Sequence, residues 1–301
     1  QDTMFEYLIF SGGGVKIGMI LGAYTYLYKH NFVNRPKVIM GTSSGSLLGL
    51  CICLGYDIDN IKSIFNKIDF NKFISFDIEN IINQNGLDNG FLIQNLYKSI
   101  VLQKNKDENI TFNELYDLSK IHLIIPGFNL TTNKKEYFDY VNTPDMKLVD
   151  AICISTRYPI FYTPYKYNNM YYIDGGVKNP YNIVKFVKIL KKNNYSLNYL
   201  EYKLLGLLIN SKPLKYCESF DFIDYSKNLL RLFSYELTTI PRKYKENTIE
   251  LDSKIHSMTV NITDEQKAEL FENGFQTMKK YLSKRIIKIK ELDSAISEKK
   301  I

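Results

Sequence analysis

A serine in the segment Gly41-Thr42-Ser43-Ser44-Gly45 is the residue best placed for covalent chemistry. The segment fits G-x-S-x-G, in which a serine lies on a tight turn between a strand and a helix with its hydroxyl exposed. A short apolar strand is predicted at 38–40 and an apolar helix at 44–54, which is the context that the motif requires. The pattern predicts a nucleophilic serine, and an ordinary loop serine is the alternative.

A run of glycines forms a second pattern, Gly12-Gly13-Gly14-Val15-Lys16, directly after the apolar run 5–10. Consecutive glycines let the backbone turn sharply and direct several N–H groups toward one point. The N-terminus of the helix predicted at 16–29 adds positive potential there. The pattern is typical of a site for a phosphate or a transient oxyanion. A simple strand-to-helix turn explains the same residues equally well.

The third pattern is Asp174-Gly175-Gly176, which follows a strand predicted at 170–173. Alone it indicates a hairpin turn, because Asp-Gly is a favoured turn pair. Serine is a poor nucleophile until a base removes its proton, and an acyl intermediate needs donors where its negative charge develops. No histidine lies in a comparable context, and a carboxylate held against the serine can act as the base. Together the patterns supply a nucleophile, a base and backbone donors.

In order and approximate spacing, these three patterns resemble the patatin-like phospholipase family. That family has a G-G-G-x-[RK] loop after the first strand, G-x-S-x-G after the second, and D-G-[GA] far downstream. The resemblance extends over roughly residues 5–285, and it includes the segment 151–164 and the helix after Thr263. Two positions depart from the pattern: Ser11 stands where many members have Asp or another small residue, and Ile17 stands where Gly is common.

The resemblance implies a Ser–Asp dyad in which Ser43 attacks an ester carbonyl and Asp174 is its base. The oxyanion hole would consist of backbone N–H groups of Gly13 and Gly14 with their neighbours Gly12 and Val15. Lys16 would steady the loop or contact a lipid phosphate. Supporting positions in the two turns would be Gly41, Gly45, Gly175 and Gly176. The implied substrate is a phospholipid or another acyl lipid, with peripheral association on membranes.

The order strand, helix, strand, helix within the first 55 residues predicts an α/β fold with parallel strands. We expect a three-layer α/β/α domain with a mainly parallel central sheet over residues 1–301. Its core would span about 5–210, ending with a strand at 204–209, and a helical C-terminal part would span about 218–295. Segment 69–90, rich in Asn, Asp and Gly, is predicted to be a loop or lid. Its aromatic residues would contact lipid or belong to the core: Phe70, Phe73, Phe76 and the adjoining Phe91.

Composition limits the remaining classes of protein. Hydrophobic residues make up 45% of the 301 residues and the net charge is +7, which excludes a disordered chain or a coiled coil. No run of 18 apolar residues predicts a membrane-spanning helix. Four cysteines (Cys51, Cys53, Cys153 and Cys217) are few, which favours a reducing, cytoplasmic compartment. The three histidines lack metal-ligand spacing, so we expect no metal, and we expect no organic cofactor.

Three alternatives stay open at this point. An α/β-hydrolase would use a Ser43–Asp174–His256 triad, although several strands usually precede the nucleophile in that fold. A nucleotide-binding module is disfavoured because the glycine run is neither a P-loop nor G-x-G-x-x-G. An inactive lipid-binding protein would keep the fold without the reaction. No aromatic-basic motif predicts a nucleic-acid partner. A chain that starts with Gln1 indicates trimming or a piece of a longer protein.

Overall fold

The computed structural model describes residues 4–73, 77–105, 107–195, 200–210, 240–255, 259 and 261–298. Phe76, Cys217 and His256, which the sequence analysis names, lie outside the described residues.

The described residues form strands and helices that alternate along most of the chain. The strands are β1 Tyr7–Phe10, β2 Val38–Gly41, β3 Gly86–Asp88, β4 His122–Asn129, β5 Lys134–Phe138, β6 Ile160–Tyr162, β7 Tyr165–Tyr167, β8 Met170–Asp174, β9 Leu204–Ile209 and β10 Thr248–Leu251. The helices are α1 Ile17–Lys29, α2 Ser44–Cys53, α3 Ile58–Lys67, α4 Ile78–Gln84, α5 Phe91–Asn105, α6 Phe112–Ser119, α7 Leu148–Ser155, α8 Ile183–Lys192, α9 Leu200–Lys203 and α10 Asp264–Glu298.

Eight strands form the central sheet, in the order β10-β9-β1-β2-β4-β8-β7, with β5 also paired to β4. The five strands β10, β9, β1, β2 and β4 run parallel to one another. The strands β5, β7 and β8 join this group in antiparallel pairs. The predicted mainly parallel sheet is therefore confirmed, and the antiparallel strands extend it at the β4 side.

Helices cover both faces of this sheet, because alternate side chains of β1 belong to two different apolar clusters. Tyr7 and Ile9 belong to a buried apolar cluster that includes Phe186 of α8. Leu8 and Phe10 belong to a larger cluster with α1, α2, α5, α7 and α10. Successive strand residues point to opposite faces, so a strand apolar at every position must be covered on both sides. The three-layer α/β/α architecture is confirmed.

The structure differs from the sequence expectation in two places. Segment 69–90 contains α4 and β3, so the prediction of a loop is wrong there. The Asp77 carboxylate caps α4 by accepting from the N–H groups of Glu79 and Asn80, and Asn85 ends it with a φ of 62°. These polar residues are therefore helix caps. The part after residue 218, predicted as helical, also contributes β10, which pairs in parallel with β9.

Candidate active site

The pairing register of β4 brings Ser43 and Asp174 together. Strand β2 pairs with β4 as far as Met40–Ile124, and the last residue of β8, Asp174, pairs with Gly127, only a few residues further along β4. Ser43 follows the end of β2 by two residues. As a result, the Ser43 hydroxyl donates a hydrogen bond of 2.6 Å to Oδ2 of Asp174, across 131 positions of sequence.

Ser43 occupies a constrained turn between β2 and α2. Its φ of 51° and ψ of −126° lie where non-glycine residues are rare, at a cost of about 1–3 kcal/mol. Gly45 makes the turn possible, because a Cβ there would lie 2.6 Å from the carbonyl oxygen of Ser11. The N–H of Ser43 donates to Oγ of Ser155 at 3.0 Å, and its carbonyl accepts from the N–H of Ser46 at 2.8 Å. The backbone that presents the hydroxyl is fixed on both sides.

The carboxylate of Asp174 is 2% exposed. Its Oδ1 accepts from the N–H of Gly176 at 2.6 Å, and its own N–H donates to the carbonyl of Arg157 at 2.8 Å. Burial raises the pKa of Asp174 to about 6, while the bonds from Ser43 and Gly176 and the charge of Lys135 oppose that rise. The carboxylate is therefore ionised at neutral pH and is a stronger base than an exposed aspartate.

The glycine loop packs directly against Ser43. A Cβ on Gly12 would lie 3.1 Å from Cβ of Ser43, and Gly14 has a φ of 53°. Among the described residues, the N–H groups of Gly13, Gly14 and Val15 have no hydrogen-bond acceptor, whereas that of Gly12 donates to the carbonyl of Pro180 at 3.4 Å. Three of the four predicted oxyanion donors are thus without a protein acceptor in the described part of the chain, and Gly12 is engaged elsewhere.

Lys16 and Ser11 tie this loop to the end of β9. The ammonium of Lys16, a residue only 3% exposed, donates to the carbonyl of Asn210 at 3.0 Å. The Ser11 hydroxyl accepts from the N–H of Ile209 at 2.8 Å. A side chain buried in this way supports the loop, and of the two roles implied for Lys16 this favours the first.

Three residues at the site have no counterpart in the sequence predictions. Ser155, at the end of α7, accepts from the N–H of Ser43. Arg157 accepts from the N–H of Asp174, and its guanidinium donates to the carbonyl of Asn89 at 2.9 Å. Lys135, on β5, acts electrostatically on Asp174. Ser155 and Arg157 fall within the family-like segment 151–164, whereas no sequence signal distinguishes Lys135 from the other lysines.

The described residues contain no group of three or more His, Cys, Asp or Glu side chains arranged to hold a metal ion. None of their helices is both long and apolar enough to cross a bilayer.

A family model described as patatin-like phospholipase matches residues 8–187. The chain belongs to the patatin-like phospholipase family. It is 30% identical over 199 residues to "Probable lipid hydrolase 463L" of Invertebrate iridescent virus 6. The matched region covers 64% of this chain and 67% of that relative. It is 27% identical over 297 residues to "Uncharacterized protein R571" of Acanthamoeba polyphaga mimivirus, covering 95% and 96% of the two chains. Together these findings support lipid hydrolase activity.

Solved structures of this patatin-like fold agree with the architecture. VipD from Legionella pneumophila superposes with a TM-score of 0.59 at 15% identity, covering 93% of this chain and 67% of that one. The type III effector ExoU superposes with a TM-score of 0.51 at 15% identity, and this chain spans 53% of its length. At such identities the likeness concerns the fold alone.

Proposed function

We propose that this protein hydrolyses fatty-acyl esters of phospholipids or related lipids, as a phospholipase A or lysophospholipase, through an acyl-enzyme on Ser43. The observation that carries the proposal is the 2.6 Å hydrogen bond from the Ser43 hydroxyl to the buried Asp174 carboxylate. It joins a nucleophile to a base beside available backbone donors. Family membership supports a lipid as the substrate.

The reaction proceeds in two halves. In the first, Asp174 takes the proton of Ser43 as Oγ attacks the ester carbonyl, and N–H groups of Gly13 and Gly14 stabilise the tetrahedral oxyanion. Collapse of this intermediate breaks the C–O bond, and Asp174 returns the proton to the departing alcohol. In the second, Asp174 takes a proton from water, which attacks the acyl-serine, and the proton then returns to Ser43 Oγ as the fatty acid leaves.

Peripheral association with anionic membranes is part of this proposal. Helix α8 covers one face of the sheet, and its outward side bears four exposed lysines: Lys185, Lys188, Lys191 and Lys192. No acidic residue occurs between positions 175 and 195. A lysine near an anionic surface contributes about 1 kcal/mol to binding.

Replacing the four lysines by Gln should weaken sedimentation with phosphatidylserine vesicles but leave hydrolysis of a soluble ester unchanged. Equal sedimentation of wild type and the variant would contradict the assignment of these lysines to membrane binding.

Labelling with a fluorophosphonate probe tests the nucleophile and its base. We expect wild type to be labelled, Ser43→Ala to lose all labelling, and Asp174→Asn to be slowed at least about 100-fold. Ser44→Ala is the matched control, because the Ser44 hydroxyl has no partner among the described residues. Labelling that persists in Ser43→Ala would end the proposal.

Product analysis separates the proposed enzyme from the two alternatives. Mass spectrometry of phospholipid vesicles should detect free fatty acid and lysophospholipid with wild type. Vesicle binding without products would indicate an inactive lipid-binding protein. His256→Asn should leave hydrolysis largely intact, since the dyad needs no histidine. Loss of hydrolysis in this variant would instead favour the Ser43–Asp174–His256 triad.

A further inference from the structure

Lys135 is a partly buried lysine whose charge acts on Asp174. It lies on β5, opposite Phe128 of β4, and its ammonium donates a hydrogen bond of 2.6 Å to the carbonyl oxygen of Asn179. Removing an ammonium group from water costs free energy, and here burial lowers its pKa to about 8. A charge held in such a position needs a compensating partner, and the negative charge of Asp174 opposes the fall in its pKa.

The carbonyl that Lys135 binds belongs to the loop 175–181, which connects Asp174 to α8. This loop donates the Gly176 N–H to Oδ1 of Asp174. Its Pro180 carbonyl accepts from the N–H of Gly12 in the glycine loop. One short segment therefore contacts the carboxylate and the glycine loop, and the Lys135 ammonium anchors it through the carbonyl of Asn179.

Few charged or titratable groups act on Asp174 within the described part of the chain. Lys135 is the cation whose charge acts on the carboxylate, and Tyr158 is the phenol whose pKa the carboxylate helps to raise. Lys178, in the loop itself, acts on Lys135. The Lys178 ammonium contacts Oδ1 of Asn133 at 3.3 Å and lies 4.8 Å from the ring centre of Phe128.

We propose that Lys135 is a positioning residue for the Ser43–Asp174 pair, anchoring the loop that bonds the carboxylate and keeping a positive charge within electrostatic reach of it. This inference rests on the proposed function, because it assigns Lys135 a role in keeping the base ready for that reaction. A positive charge favours the ionised carboxylate, which is the form that accepts the serine proton. Without it, burial acts with less opposition and a smaller fraction of Asp174 is ionised at neutral pH.

The test compares pH profiles of kcat/KM on a soluble short-chain ester for wild type and four variants. Lys135→Gln keeps a hydrogen-bond donor and removes the charge, and Lys135→Met removes both. Lys135→Arg keeps the charge, and the exposed neighbour Lys134→Gln is the matched control. We expect the acidic limb of both neutral variants to move upward, and that of Lys135→Arg and Lys134→Gln to stay within about 0.2 of wild type.

The outcomes distinguish an electrostatic role of Lys135 from a purely structural role and from failure of the proposed function. A fall in kcat/KM that is uniform across pH, with no shift of the acidic limb, would overturn the electrostatic role. If neither neutral variant folds, as judged by thermal unfolding, whereas Lys135→Arg does, Lys135 is a stability residue and the proposal is wrong. An unreactive wild-type protein, by contrast, would refute the proposed function itself.

Discussion

At the scale of single residues, one buried carboxylate is subject to opposing influences. Desolvation favours the neutral acid of Asp174, while the donors from Ser43 and Gly176 and the charge of Lys135 favour the anion. Burial dominates, so the group titrates near pH 6 and is both ionised and basic at neutral pH. An exposed aspartate would be ionised as well, but it would be a weaker base.

The activity should follow this ionisation. In the proposed reaction only the carboxylate form of Asp174 accepts the serine proton, so kcat/KM should rise with pH through an apparent pKa near 6 and level off above about 7. Rates on a soluble ester between about pH 4 and 9, corrected for unfolded protein, measure this limb. An acidic limb near pH 4 would mean that the carboxylate is solvated during the reaction.

Asp174→Asn should stabilise the protein at neutral pH. The folded pKa of Asp174 is raised from 3.8 to about 6, so its contribution to the free energy of unfolding is most favourable below pH 4, where the group is protonated. That contribution is lost as the pH rises through 6. Replacing it by a neutral amide should increase the free energy of unfolding by up to about 3 kcal/mol at pH 8 and by much less at pH 4. Urea unfolding at both values tests the difference, and an equal effect at the two values would contradict the assigned titration.

Ser155 should matter although it does not contact the reacting atoms. Ser155→Ala removes the acceptor of the Ser43 N–H and leaves a partly buried donor unpaired, at a cost of about 1 kcal/mol. Because this bond helps to hold the strained turn, we expect fluorophosphonate labelling to slow about tenfold as well. Ser99→Ala, which removes an exposed hydroxyl on α5 that bonds within its own helix, is the control and should change neither quantity.

At the scale of elements, the turn from β2 into α2 depends on close backbone approach. A Cβ at Gly45 would lie 2.6 Å from the Ser11 carbonyl oxygen and 2.9 Å from that of Phe10, and backbone atoms cannot easily move. At Gly49, four residues later on the same helix, the nearest atoms are side-chain carbons at 3.1 Å. Gly45→Ala should therefore destabilise the protein by about 2 kcal/mol or more and nearly abolish labelling.

The matched variant Gly49→Ala contains the same added methyl group in the same helix. We expect a smaller loss of stability, because side chains of Ile39 and Leu123 can adjust, and normal labelling of the folded protein. Thermal unfolding and probe labelling compare the two variants. Similar losses in both would indicate that the turn tolerates a side chain at Gly45.

At the scale of the whole molecule, α10 brings the C-terminal part back to the element that follows the glycine loop. A Cβ at Gly22 of α1 would overlap the carbonyl oxygen of Phe271, and a Cβ at Gly274 of α10 would overlap that of Met19. The two helices therefore pack backbone against backbone. Since α1 starts directly after Lys16, this contact supports the position of the glycine loop, which packs against Ser43.

Gly274→Val should test this contact. The side chain would force the helices apart, and we expect the midpoint of thermal unfolding to fall by several degrees, corresponding to about 2–3 kcal/mol. Gln276→Val is the control, because it introduces the same β-branched residue on the exposed side of α10. An unchanged midpoint in Gly274→Val would show that the two helices do not need this close contact.

The sequence by itself determined the local features of this protein. The G-x-S-x-G turn and the early strands and helices were predicted, and the elements are present. They depend on sterics, periodicity and hydrogen bonds between residues close in the chain. The order of the three patterns also indicated the family, which the comparison confirmed.

Only the tertiary structure decided which distant groups meet. The contact between Ser43 and Asp174 depends on the register of β2 and β8 along β4, and the contacts of Ser155 and Lys135 depend on where α7 and β5 pack. The strand β10 forms because β9 offers it an edge. Hydrogen bonding across a sheet and burial of charge are set by residues far apart in sequence. The local sequence around each residue therefore does not predict which distant residue it contacts.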